Sequence, residues 1–324
     1  MKVTPIIFKN KSKHTLFGML HTPNDIRTDI GTIMLSPGIK SRVAPHRLYV
    51  KMANYFCSFG IPVFRFDPEG LGDSEGEIEE TLAADVYGSI QMGRFIDDTI
   101  SAMDLMEDSL KINRFVLAGL CGGAITGLLA GCSDQRVEAL IGLGIPVTLD
   151  SNKTDSRQYI TDGHLNELRQ KYFAKILDPK SWLRFFVFKS DYRIILKSVT
   201  LSSRNFLNGL KTNNSNSHNF KQKNSMDVEN NTNPIFADSF FKFLSNKKIL
   251  LFFSGRDRLY WDYDEKFVSL YRRQLNQVGQ NLEVHITQDA NHILSFTEWQ
   301  DDMFDKLSVW LKNKFSVDSE LLSN

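Results

Sequence analysis

Cys121 sits in the run Phe115-Val116-Leu117-Ala118-Gly119-Leu120-Cys121-Gly122-Gly123-Ala124. An apolar, β-prone segment followed by small residues reads as a buried strand, a sharp turn and the start of a helix. The spacing is G-x-nucleophile-x-G, with cysteine where serine is usual. A side chain on such a turn occupies a strained backbone conformation, so its neighbours must be minimal, which explains the glycines. Sulfur at a helix N-terminus is also biased toward thiolate by the helix dipole. The competing reading is a buried structural cysteine, because free cysteines are among the most buried residues. The motif alone does not decide between them.

A thiol nucleophile needs a base, and the base needs an orienting partner. Two further segments supply candidates in the order nucleophile, acid, histidine. The strand-like run Ile249–Phe253 ends in Ser254-Gly255-Arg256-Asp257, which puts Asp257 just beyond a strand's carboxyl end. The run Leu282–Gln288 ends in Asp289-Ala290-Asn291-His292 and does the same for His292. Separately, Asp257 is an ordinary turn or cap residue and His292 one of seven histidines. Together, after successive strands, they favour catalysis. Asp150 is the alternative acid, while Asp289 lies too near His292 in sequence to orient it. The backbone N–H groups of Gly122 and of Ile39, in the turn Ser36-Pro37-Gly38-Ile39-Lys40, are the candidate oxyanion donors. Cys57 and Cys132 lack such a setting and read as structural.

The elements that must position these groups alternate along the chain. Strand-like runs fall at Thr4–Phe8, Thr15–His21, Thr32–Ser36, Pro62–Phe66, Arg114–Ala118, Ala139–Leu143, Ile249–Phe253 and Leu282–Gln288. Helical patterns fall at about His46–Phe59, Met92–Leu110, Gly122–Gly131, Tyr263–Gln277 and Thr297–Phe315. In the last of these, Trp299, Met303, Leu307 and Trp310 share one face. The pattern predicts an α/β fold, a mostly parallel eight-stranded sheet flanked by helices. It lapses over residues 146–246, which read as a helical cap inserted before the seventh strand, with residues 1–145 and 247–324 forming the core. Within the insert, residues 212–233 are Asn/Ser-rich and predict a flexible loop.

These pieces resemble the α/β-hydrolase superfamily from about Phe17 to Phe315. The run Arg65–Gly76 is similar to its D-x-x-G-x-G-x-S loop, a structural rather than a reacting segment. The resemblance is closest to the type 1 exosortase A system-associated hydrolases of bacterial exopolysaccharide loci. It is carried by Pro45-His46-Arg47, the Arg65–Gly76 loop, Gly119–Ala124, Ser254–Asp257 and Leu177-Asp178-Pro179-Lys180-Ser181-Trp182. That family typically has aspartate after its cysteine, where this chain has Gly122. The resemblance implies an exopolysaccharide or envelope setting and a cap that shapes the substrate entrance, where Trp182 and Phe186 are candidates. His46 and Arg47 are candidate contacts for an anionic substrate group, or simply a helix start packed against the neighbouring loop.

Composition narrows the field further. With 39 basic and 38 acidic residues the net charge is +1, so no global field recruits nucleic acid. Three cysteines without a C-x-x-C pair exclude a disulfide scaffold and a cysteine-rich zinc module. No run reaches the ~18 apolar residues of a membrane span, and the first residues lack a signal-peptide core, so a cytoplasmic protein is expected. The neutral total conceals two opposed regions. Asp67–Asp108 carries thirteen acids and only Arg94 as a base, while Glu167–Lys223 carries twelve bases and three acids. A basic, aromatic insert suits an anionic or lipid-like acyl substrate, or peripheral contact with an anionic membrane; solvated helix faces are the commoner origin of such charge runs. The chemistry expected is cleavage of an ester, thioester or lactone through a thioester on Cys121, without metal or cofactor. Acyl transfer to another acceptor, or a catalytically silent binding protein, remain the alternatives.

Overall fold

A computed structural model describes residues 1–149 and 231–317. Eight strands form one sheet: β1 (Lys2–Lys9), β2 (Thr15–Thr22), β3 (Ile30–Leu35), β4 (Val63–Asp67), β5 (Arg114–Leu120), β6 (Val137–Leu143), β7 (Lys248–Ser254) and β8 (Leu282–Thr287). Their order is β1-β2-β4-β3-β5-β6-β7-β8. The β1/β2 and β2/β4 pairs are antiparallel and every later pair is parallel. The expected mostly parallel, eight-stranded sheet is therefore what forms.

The central strands are buried on both faces, as parallel strands covered by helices must be. Alternate residues feed two cores, because successive side chains on a strand point to opposite faces. Leu117, Leu140 and Leu251 join one core with α3 (Ile96–Leu110), α4 (Gly122–Ser133) and α5 (Phe236–Leu244). Val116, Ile141 and Leu250 join the other, with α1 (Leu48–Ser58) and the last helix, Thr297–Phe315. On that last helix Met303, Leu307 and Trp310 are almost wholly buried, the face its sequence spacing predicts. Between β4 and α3 the chain forms α2 (Ala83–Gln91), which the sequence pattern does not single out.

The chain leaves and rejoins the sheet unit through adjacent segments. Thr148 pairs with Thr232, Leu149 N–H donates to Asn231 O (2.8 Å) and Asn233 N–H donates to Val147 O (2.8 Å). Of the described residues, 1–149 and 231–317 all belong to the unit that contains the sheet. Residues up to 246 were expected to belong to the insert, yet α5 packs on α4 and sits in the sheet's own core. Asn233, at the end of the expected flexible loop, is buried. Its side-chain amide donates to Gln91 O (2.8 Å) and its Oδ1 accepts from Ile235 N–H (3.0 Å). A loop-forming residue is here a fixed one, because its amide serves buried backbone groups. The remaining insert, with Asp150, Trp182 and Phe186, lies outside the described residues. Among the described residues, no helix is long and apolar enough to cross a membrane.

Candidate active site

The turn between β5 and α4 has the strain that its glycines suggest. Cys121 adopts φ 53°, ψ −114° and is the N-cap of α4. Such a conformation costs a non-glycine residue roughly 1–3 kcal/mol and persists only where its surroundings enforce it. The enforcement is visible on both sides. Cys121 N–H donates to Leu143 O (2.8 Å) of the neighbouring strand. A Cβ on Gly119 would lie 2.2 Å from the Gly123 carbonyl carbon, and one on Gly122 would lie 2.7 Å from Gly38 Cα. The second contact accounts for glycine at 122: an aspartate there would displace the Gly38 backbone. The turn that holds Ile39 thus packs directly on the first residue of α4.

His292 and Asp257 meet at the carboxyl edge of the sheet, where open α/β sheets build their sites. His292 Nδ1 and Asp257 Oδ2 are 2.6 Å apart. Asp257 has two roles, because its Oδ1 also accepts from Leu259 N–H (3.3 Å) as the N-cap of the short helix Arg258–Tyr263. Gly144, at φ +55°, follows β6, and a Cβ there would lie 3.5–3.6 Å from the His292 ring and from Asp257. Burial disfavours the charged imidazole. Hydrogen bonds to Asp257 and Cys121, and the charges of both, outweigh it and raise the His292 pKa to about 10. With Nδ1–H committed to Asp257, Nε2 is the nitrogen left for the thiol. The arrangement favours an imidazolium at His292. Asp289, too near His292 in sequence to orient it, pairs with Arg256 at the surface (2.6 Å).

The two backbone donors are held by separate braces. Gly122 is the first residue of α4, so its N–H has no partner within the helix. Ile39 lies in a turn closed by Lys40 N–H donating to Pro37 O (3.2 Å). Ser36 Oγ donates to Phe66 O (3.0 Å), fixing the start of that loop. At its far end the wholly buried Asp67 accepts from Arg42 N–H (2.6 Å), pairs with the Arg42 guanidinium, and accepts from Asp73 N–H (3.2 Å). The Arg65–Gly76 run is therefore a brace for the loop that carries Ile39. His46 and Arg47 are exposed at the start of α1, both at positive φ. Among the described residues neither bonds to the Cys121–His292–Asp257 group. Sequence reasoning passed over Tyr49, Tyr87 and Gly144. Tyr87 packs its ring on Gly38. Tyr49 lies on the apolar face of α1, where its spacing alone does not set it apart from the core residues around it.

No family model and no curated protein matches the sequence. Solved structures do resemble the fold. An esterase of Pyrococcus furiosus aligns over 96% of this chain and 92% of its own, at 17% identity and a TM-score of 0.56. A putative α/β hydrolase of Agrobacterium tumefaciens aligns over 98% and 100%, at 14% identity and 0.54. An α/β serine hydrolase homologue of Coxiella burnetii aligns over 96% and 98%, at 13% identity and 0.53. With the strand order and the strained turn, these likenesses establish the α/β-hydrolase fold.

Proposed function

We propose that the protein is a cysteine-dependent acyl hydrolase, cleaving an ester, thioester or lactone through a thioester on Cys121. The observation that carries this reading is the His292–Asp257 pair (2.6 Å) on the carboxyl edge of the sheet, beside a strained turn whose Cys121 helps to raise the His292 pKa. The thiolate attacks the acyl carbon, and the carbonyl oxygen takes up the charge against the N–H groups of Gly122 and Ile39. Imidazolium His292 then protonates the leaving group, which departs as the thioester forms. Next, neutral His292 removes a proton from water, whose oxygen attacks the thioester. Collapse releases the acid, and the proton on His292 restores the ion pair. Asp257 keeps the imidazole in one tautomer throughout. Side chains and backbone supply every step.

The finer assignment follows the sequence resemblance to the exosortase A system-associated hydrolases. It gives a cytoplasmic enzyme acting on a small or lipid-like acyl substrate in exopolysaccharide or envelope metabolism. Gly122 sets this chain apart from that group, and its packing on Gly38 shows what the usual aspartate would disturb. The test is a panel of p-nitrophenyl esters and acyl thioesters of increasing chain length, with wild type and Cys121→Ala. Turnover by wild type that Cys121→Ala abolishes supports the reading; equal turnover by both overturns it. Product analysis with added amine or alcohol acceptors separates hydrolysis from acyl transfer through the same intermediate.

A further inference from the structure

We propose that Tyr49 is a positioning residue whose hydroxyl sets the separation between the nucleophile and the second oxyanion donor, an inference that rests on the acyl-transfer reading above. Tyr49 is wholly buried in the second position of α1. Its hydroxyl donates to Leu35 O (2.7 Å) and accepts from Leu120 N–H (2.6 Å). Leu35 is the last residue of β3, directly before the loop that carries Ile39. Leu120 is the last residue of β5, directly before Cys121. One hydroxyl thus joins the roots of the two segments that must converge on a carbonyl group.

The sheet explains why a strut is needed there. β3 and β5 pair in register as far as Leu35 and Gly119. Beyond that pair α4 wedges in: a Cβ on Gly123 would lie 2.2 Å from Leu35 O. Leu120 N–H and Leu35 O are thereby carried out of the ladder at the place where the site requires the strands to part. Tyr49 gives each of them a partner. The surrounding core is otherwise apolar, with Leu48, Met52, Ala53 and Phe56 on the same helix. A buried hydroxyl in such company is costly unless bonded, so these two bonds account for its presence. The backbone adds a third tie, since Tyr49 N–H donates to Val43 O (3.3 Å) in the loop leading into α1. Stabilising an oxyanion depends on donors held at a fixed distance from a point that neither loop defines alone. Tyr49 fixes that distance without touching substrate.

Tyr49→Phe keeps the ring and removes only the strut, and three measurements read the result. Alkylation of Cys121 by iodoacetamide displaces iodide at a saturated carbon and needs no oxyanion donor, so it should stay within about twofold of wild type. Turnover of p-nitrophenyl butyrate should fall roughly 10- to 100-fold in kcat with little change in KM, less than deleting a donor outright. Independently of any substrate, amide exchange at Leu120 should accelerate, and amide shifts should move at Ser36–Ile39 and Leu120–Gly122 but not at Asp257 or His292. Parallel loss of alkylation and turnover would make Tyr49 a structural residue and overturn the assignment. So would unchanged turnover, or unchanged exchange at Leu120. Should wild type cleave no ester while Cys121 alkylates readily, the hydrolase reading fails, and the amide data alone decide the role of Tyr49.

Discussion

The chain places a cysteine beside a histidine twice, with opposite electrical results. Cys57 Sγ donates to the backbone carbonyl of His21 (3.7 Å), and the partner of the His21 ring is a cation: Arg65 Nε donates to His21 Nε2 (2.8 Å). Burial, reinforced by Arg65, lowers the His21 pKa to about 4, and burial pushes the Cys57 thiol up to about 12. Among the described residues His21 Nδ1 is buried with no partner. Near Cys121 the ring of His292 instead meets a carboxylate, that of Asp257 at Nδ1, and the histidine rises to about 10. The residue types match; the third member and the solvent access differ. Cys121 thus has beside it a histidine that an anion helps to keep charged, whereas Cys57 is kept protonated by burial and meets only the backbone carbonyl of a neutral histidine.

This contrast orders the expected effects. The largest belongs to Cys121→Ala, which should lower acyl turnover by at least about 10⁴-fold while leaving the melting transition cooperative, since the groups of a triad act as a unit. Next is Asp257→Asn, expected to cost roughly 10²- to 10⁴-fold in kcat, with the His292 titration, followed by imidazole NMR, moving down from about 10. The stretch around Asp257 also loses part of a helix cap, so a smaller drop in melting temperature should accompany it. Selective labelling follows. In the folded protein at mildly alkaline pH, iodoacetamide should modify Cys121 at least about tenfold faster than Cys57, as read by peptide mass mapping. Equal rates would erase the distinction between the two settings.

The smallest effect concerns pH and stability, and the two histidines act from opposite sides. His292 binds its proton more tightly in the folded state. Its contribution is complete below the unfolded value of 6.5 and is lost as pH rises through about 10. His21 binds its proton less tightly when folded, so its contribution is complete above 6.5 and is lost as pH falls toward about 4. Denaturant midpoints measured across both windows should show His292→Ala flattening the alkaline limb and His21→Asn flattening the acid limb. The reverse pattern would contradict the assigned charge states.

Much of this was legible in the sequence, and for identifiable reasons. The order Cys121, Asp257, His292 survives in one dimension because each residue follows a strand of a parallel sheet, so chain order becomes position along one edge. The structural reading of Cys57 needed only the lack of any motif around it. The contact between Gly122 and Gly38 was not legible, because it joins segments far apart in the chain that reveal their closeness only once β3 and β5 are paired. Tyr49 stayed hidden for a related cause. Its spacing marks it as one more apolar face residue, and only the parting of two strands gives its hydroxyl work. The return of the chain at Asn231 was obscured by composition, since asparagines that serve buried backbone groups look like those of a loop.

The central claim is that Cys121 carries the acyl group, and intact mass after rapid mixing tests it most directly. Wild type mixed with an excess of p-nitrophenyl butyrate and quenched in acid should gain the mass of one butyryl group, mapping to the Gly119–Ala124 peptide. His292→Ala should gain it far more slowly, and Cys121→Ala not at all. A butyryl group found on any other residue, or the same adduct forming at equal rate without His292, would contradict the assignment of Cys121 as an activated nucleophile.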